Sequence, residues 1–81
     1  MIPRATFAIM KITIFASRRD NGRLAFKAPE FGGFECYAPP GCDPAFRVNA
    51  GDKVDVRFYR PTDFVSHQPL PYFVADHIEK V

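Results

Sequence analysis

Proline and glycine divide this chain into segments that are too short for most helices. The 81 residues include eight prolines and five glycines. No stretch of ten residues shows the 3.6-residue apolar period of an amphipathic helix. Several of the intervening segments instead alternate apolar and polar residues, which is the pattern of a half-buried strand. The chain is therefore predicted to be all-β.

Five strands are predicted from this alternation. They cover residues 6–17, 23–28, 34–38, 53–60 and 72–81. Asn21 and Gly22 tolerate the positive φ of a tight hairpin turn, so the first two strands are predicted to pair around them. In the second strand, the side chains of Leu24, Phe26 and Ala28 are predicted to face the core.

The longest irregular connection follows the third strand. Residues 39–52 contain three prolines and two glycines. Five short antiparallel strands with this spacing are typical of a small OB-like barrel or a curled sheet, although a sandwich of similar size has the same periodicity. Residues 1–81 are predicted to form a single domain, because a chain of this length holds one core. The triplet that begins at Met10 also resembles a translation start, which leaves residues 1–9 either within the domain or as an N-terminal extension.

Basic and aromatic residues point to a nucleic-acid surface. Residues 1–30 carry six basic and two acidic groups, whereas residues 31–81 carry five basic and seven acidic groups. Nine Phe and three Tyr are more rings than one small core needs, so some are predicted to face outward. Single-stranded DNA or RNA requires rings on which bases stack and cations along the phosphates. The predicted binding residues are Lys11, Phe15, Arg18, Arg19, Arg23, Lys27, Tyr37, Arg57 and Tyr59.

Three segments resemble known single-strand binders. The segments AGDKVDVRFYR and YFVADHIEKV resemble the closing strands of OB-fold nucleic-acid-binding proteins, including cold-shock domains. The segment MKITIFASRRDNGRLAF is similar to the strand and basic hairpin that open the single-stranded-DNA-binding proteins of filamentous phages. The resemblance implies a homodimer that coats single strands cooperatively with a basic, aromatic hairpin. The basic and aromatic surface itself predicts binding with little sequence specificity. The hairpin contacts that the resemblance implies are Arg18, Arg19, Arg23 and either Phe26 or Lys27.

A small protein-interaction module is the alternative interpretation. An inhibitor or adaptor of this size, phage- or plasmid-encoded, would dock through exposed rings and through the proline loop, residues 61–71. The rings that this interpretation uses are Phe31, Phe34, Phe64 and Tyr72. Outward apolar surface of this kind also fits a homodimer interface.

Neither catalysis nor metal binding is predicted. The two cysteines and two histidines lack the closely spaced cysteine pairs of structural zinc sites, and whether Cys36 and Cys42 pair is left open. Asp63, Ser66 and His67 lie within five positions of one loop, which is too close for a catalytic triad. We therefore predict no enzymatic activity and no cofactor. No run of 18 apolar residues is present, so no membrane span is predicted, and the chain is expected in the cytoplasm.

Overall fold

A single six-stranded β-sheet makes up the fold. The computed structural model describes residues 7–42, 44 and 47–81. The strands are β1 (Ala8–Thr13), β2 (Ala16–Asp20), β3 (Arg23–Lys27), β4 (Cys36–Ala38), β5 (Lys53–Tyr59) and β6 (Phe73–Lys80). Two short 3-10 turns lie at Pro29–Phe31 and Pro40–Cys42. Within the described ranges there is no α-helix, and hence none that is long and apolar enough to cross a membrane. The prediction of an all-β chain is confirmed.

The strands follow the order β1-β5-β6-β4-β3-β2 across the sheet, which is not closed. β1 and β2 are therefore its two edges, although only Ile14 and Phe15 separate them in sequence. The Ile14 N–H donates to the Asp52 carbonyl, whereas the Phe15 N–H donates to the Lys27 carbonyl. The single first strand that the sequence predicts is thus divided in two, because its successive residues pair with opposite ends of the sheet.

One pair of neighbouring strands is parallel. β4 and β6 run in the same direction, and every other neighbouring pair is antiparallel. The expectation of a wholly antiparallel sheet is wrong at this pair. The reason is that β5, which lies between β4 and β6 in sequence, reverses the chain but pairs on the far side of β6.

The core lies on the inner face of the sheet, as the alternation in β3 and β5 predicts. Its buried members are Ile12, Ile14, Leu24, Phe26, Ala28, Phe31, Cys36, Ala38, Val48, Val54, Val56, Phe58, Ala75 and Ile78. Phe31 enters from the first 3-10 turn and contacts three other rings. Its ring centroid lies 5.7 Å from that of Phe26, 4.9 Å from that of Phe58 and 5.3 Å from that of Phe73. The Phe31 ring therefore packs among side chains from β3, β5 and β6.

The β2–β3 hairpin has the predicted two-residue turn. Asn21 and Gly22 have φ angles of 53° and 78°, and positive φ at both central positions is the type I′ geometry that suits a twisted hairpin. In the resulting register Arg18 pairs with Ala25 and Asp20 pairs with Arg23. Residues that pair directly point to the same side of a sheet, so these four residues share the outer face.

The proline loop is held by hydrogen bonds of its own. Thr62 and Pro69 form a β-bridge, and the Leu70 N–H donates to the Pro61 carbonyl at 2.8 Å. Phe64 and Val65 at its tip are 87% and 82% exposed. The loop is therefore an ordered projection that ends in two adjacent apolar side chains.

Candidate nucleic-acid interface

A row of outward-facing residues crosses five strands of the sheet. From β5 to β2 it consists of Tyr59, Val74, Tyr37, Ala25 and Arg18, each paired with the next. Neighbouring strands lie about 4.8 Å apart, so the backbones of Tyr59 and Tyr37 are separated by roughly 10 Å. We call this set the outer row.

An open groove lies over β2 and β3 at the Arg18 end of the outer row. Its volume is about 220 Å³, and its lining consists of Ala16, Ser17, Arg18, Ala25, Lys27 and Glu35. Ala16 pairs with Lys27 across the hairpin. The two alanines have no side chain beyond Cβ, so they leave room that larger residues would fill. We call this feature the β2–β3 groove.

A carboxylate holds the guanidinium group of Arg18 in place. The Arg18 Nε and Nη2 donate to the two carboxylate oxygens of Glu35 at 2.8 Å each, and the Tyr37 hydroxyl donates to Glu35 Oε1 at 3.3 Å. The hydrogen bond from Arg18 lowers the pKa of Glu35 and raises the pKa of Arg18. Glu35 occupies the Nε and Nη2 donors of Arg18. A ligand therefore meets the planar face of the guanidinium group more readily than those two N–H groups.

Arg23 and Tyr37 form a stacked pair next to the groove. The Arg23 Cζ lies 4.1 Å from the centroid of the Tyr37 ring, and the Arg23 Nη2 lies 3.3 Å from Asp20 Oδ2. Tyr72 packs edge-on against Tyr37, with a centroid distance of 5.5 Å. Unstacked bases pack on guanidinium planes as well as on aromatic rings. The Arg23–Tyr37 pair is therefore a flat platform on which a base can stack.

Lys27 is a cation of this surface that is available to a phosphate. Within the described ranges its ammonium group makes no ion pair or hydrogen bond, although its charge contributes to the lowered pKa of Glu35. It lines the β2–β3 groove, and Arg23 lies two outward positions away on the same strand. A phosphate and a base of one nucleotide chain could thus be held on the same surface.

Three of the predicted binding residues lie on the β1–β5 half of the sheet. Lys11 pairs with Asp55 in the register of these strands. The Arg57 Nε and Nη2 donate to the two carboxylate oxygens of Asp76 at 2.7 and 2.6 Å, and that bond lowers the pKa of Asp76. Of these three residues, Tyr59 alone belongs to the outer row, at the end opposite to the β2–β3 groove.

Other predicted residues lie elsewhere. Phe15 stands at the bend between the two edge strands and is 54% exposed. Arg19 pairs with the core residue Leu24, so it leaves β2 on the side opposite to Arg18. The same alternation that places Arg18 outward could have revealed this position of Arg19.

Two of the rings named from the sequence are buried in the core. Phe31, which the docking interpretation uses as an exposed ring, is buried, so that assignment is wrong. Phe26 is buried as the alternation of its strand predicts, although the resemblance implies it as an alternative to Lys27 for the hairpin contact. In β3 the inward positions alternate with outward ones, so only Lys27 of the pair Phe26 and Lys27 can meet a ligand.

The sequence does not predict the carboxylates that pair with the arginines. Asp20 could have been found, because it directly faces Arg23 across a two-residue turn. Glu35 and Asp76 lie 17 and 19 positions from their arginine partners. No local pattern indicates those pairings, since they depend on how distant strands are placed side by side.

The two cysteine thiols and the Asp63 carboxylate lie outside the β2–β3 groove. Within the described ranges, no three or more His, Cys, Asp or Glu residues are grouped to hold a metal ion. Cys36 and Cys42 are both free thiols, and burial raises the pKa of Cys36, which disfavours its nucleophilic thiolate form. Asp63 accepts the Ser66 hydroxyl at 2.9 Å, an arrangement that caps a turn of the proline loop.

We expect the Arg18–Glu35 pair to make the free energy of unfolding depend on pH in the acidic range. The folded-state pKa of Glu35 lies below its ordinary value of 4.5, so the pair stabilises the fold above that pH and the contribution is lost as pH falls through the folded pKa. Urea unfolding should give wild type a larger free energy of unfolding than Glu35→Gln at pH 7. The difference should shrink below pH 4.5. Glu30→Gln, at an exposed position, is the control, and a Glu35→Gln difference that does not change with pH would contradict the assignment.

In comparisons with protein families, with curated proteins and with solved structures, no match to this chain is found.

Proposed function

We propose that this protein binds single-stranded nucleic acid, DNA or RNA, on the outer surface of β2, β3 and β4. The observation that carries the proposal is the outer face of β3, where Lys27 lines the β2–β3 groove and Arg23, two outward positions away on the same strand, stacks on Tyr37. Single-strand binders combine a cation for the phosphate with a flat group for the base. Because these contacts use the backbone and the faces of bases, little sequence specificity is expected.

The strand order supports placing the ligand on this surface. When β1 and β2 are counted as one bent strand, the chain has five strands. Numbered along the sequence, they lie across the sheet in the order first, fourth, fifth, third and second, and the second strand pairs again with the first. We infer an OB-like fold from this order. In OB folds the second and third strands present the face that binds oligonucleotides, and the corresponding strands here are β3 and β4. These two strands carry Arg23, Lys27 and Tyr37.

The ion pairs limit how many phosphates this surface can contact. Arg18, Arg23 and Arg57 each have a carboxylate partner, which leaves few cations for the ligand. Each neutralised phosphate on a single strand contributes about −0.7 to the slope of log affinity against log salt. We therefore expect a shallow slope that corresponds to one or two contacts, and a large share of the affinity from stacking.

Fluorescence anisotropy of a labelled single-stranded oligonucleotide, with duplex as control and at several salt concentrations, tests the proposal. Wild type should bind the single strand more tightly than the duplex. Lys27→Gln should make the salt slope shallower by about 0.7. Lys53→Gln removes the same charge from an exposed position on β5 and should leave the slope unchanged. Equal slopes in the two variants, or no binding at low salt, would refute the proposal.

Docking to a protein through the proline loop is the second candidate. The observation that favours it is the exposure of Phe64 and Val65 at the tip of an ordered loop. Arg60 braces this loop, because its Nε donates to the Leu70 carbonyl at 2.7 Å and its Cζ lies 4.9 Å from the centroid of the Phe34 ring. A braced apolar tip loses little conformational freedom when it enters a pocket. If the anisotropy experiment shows no single-strand binding, docking through the proline loop becomes the favoured function.

A further inference from the structure

Strand β1 has a hydrogen-bonded neighbour on one edge only. The Ile14 N–H donates to the Asp52 carbonyl, and the Ile14 carbonyl accepts from the Gly51 N–H, so both groups point toward the β5 side. Backbone groups alternate in direction along a strand, and Ile9, Lys11 and Thr13 therefore direct theirs away from β5. In the part of the chain that the structure describes, no backbone hydrogen bond reaches these groups on that side.

This open edge is also apolar. Phe7, Ile9 and Met10 are 49%, 73% and 38% exposed, and Lys11 is the single charged residue of β1. Natural proteins usually protect an edge strand with prolines, bulges or several charges, because an unprotected edge pairs with another strand. β1 has the backbone groups and the apolar side chains that strand addition requires.

We propose that β1 pairs with β1 of a second copy, antiparallel about a two-fold axis, so that one sheet continues through a homodimer. A two-fold contact buries the same residues on both copies and leaves neither edge open. The pairing that uses the whole edge from Phe7 to Thr13 is centred on Met10. It sets Ile9 of each copy opposite Lys11 of the other.

The charges on the outer face select this register. Within one chain, Lys11, Asp55 and Glu79 are neighbours in one row across the sheet, which we call the acidic row. Ile9, Arg57 and His77 are neighbours in a second row, which we call the arginine row. Pairing centred on Met10 joins the acidic row of one copy to the arginine row of the other.

A shift of the two-fold axis by one residue in either direction loses this match. Pairing centred on Lys11 sets two lysines directly opposite one another and the two acidic rows in line, and like charges in facing positions destabilise a strand pair. Pairing centred on Ile9 sets the two arginine rows in line. Only the register centred on Met10 both uses the whole edge and alternates the charges.

Sedimentation equilibrium of the full chain over a range of protein concentrations tests the dimer. Wild type should dimerise. Lys11→Pro removes an outward N–H while sparing the donors that face β5, and proline is tolerated on an edge strand. Each dimer then loses two hydrogen bonds, which should weaken association about 30-fold. Lys11→Gln, which keeps the N–H, is the matched control and should dimerise like wild type.

A second pair of variants tests the register and does not depend on a proline. Ile9→Lys would face Lys11 of the other copy and should weaken the dimer, whereas Ile9→Glu at the same position should not. Circular dichroism should show the wild-type fold in all variants that are compared. A wild type that stays monomeric up to millimolar concentration would overturn the proposal. Equal weakening by Ile9→Lys and Ile9→Glu, or a folded Lys11→Pro that dimerises like wild type, would do the same.

Discussion

Replacing Phe31 by alanine should cost this fold about 3–5 kcal/mol, the usual range for a buried phenylalanine. The Phe31 side chain is 1% exposed and meets the rings of Phe26, Phe58 and Phe73. Those rings come from β3, β5 and β6, so alanine would leave a cavity where three strands converge. Small domains have a total stability of about 5–15 kcal/mol, and a chain of this length is expected near the low end. The variant should therefore be close to unfolding at room temperature.

Urea unfolding followed by circular dichroism measures this loss. Phe64→Ala is the matched control, because it removes the same ring from the exposed tip of the proline loop, where the change should stay within about 0.5 kcal/mol. Similar free energies of unfolding for the two variants would mean that Phe31 does not occupy the centre of the core.

The second large effect is expected in binding. Replacing Tyr37 by leucine should weaken the single-stranded complex about five- to 150-fold, because one stacked base contributes roughly 1–3 kcal/mol. Leucine keeps an apolar side chain at this half-buried position but removes the ring under Arg23 and the hydroxyl that reaches Glu35. Anisotropy titrations at one low salt concentration, on protein that has been shown to be folded, give the affinity ratio.

The proline loop provides the control for this measurement. Phe64→Leu removes an aromatic ring from the other candidate surface and should leave single-strand affinity unchanged. If Phe64→Leu weakens binding and Tyr37→Leu does not, the nucleic acid contacts the proline loop instead of the outer row. Urea unfolding of both variants separates a lost contact from a loss of folded protein.

Local patterns were sufficient wherever one segment determines its own structure. The alternation in residues 53–60 predicts β5 and its inward residues Val54, Val56 and Phe58, all of which are buried. Asn21 and Gly22 predict the hairpin because the positive φ that the turn requires is a property of those two residues. In each case the information lies within a few positions of the element that it predicts.

Non-local pairing accounts for what the sequence did not reveal. Ile14 and Phe15 continue an apolar, strand-like pattern, and only their hydrogen bonds to opposite ends of the sheet divide the first strand. Phe31 lies in a segment rich in proline and glycine that resembles an exposed bend. For the candidate site, the sequence predicts Arg18 and Tyr37 as binding residues. The position of the Glu35 carboxylate between them depends on the pairing of β2, β3 and β4, which no local pattern indicates.

The placement of β1 and β2 at opposite edges has a consequence for how the chain folds. The β2–β3 hairpin joins residues that are at most 11 positions apart, whereas β1 pairs with β5 across as many as 50 positions. Local contacts form early and distant ones wait for the chain between them to be ordered. During synthesis the hairpin can therefore form while β1 still lacks β5, and both edges of the Ala8–Thr13 segment stay open until residue 59 has been made. Chains that stall before that point are the form of this protein most exposed to aggregation through β1.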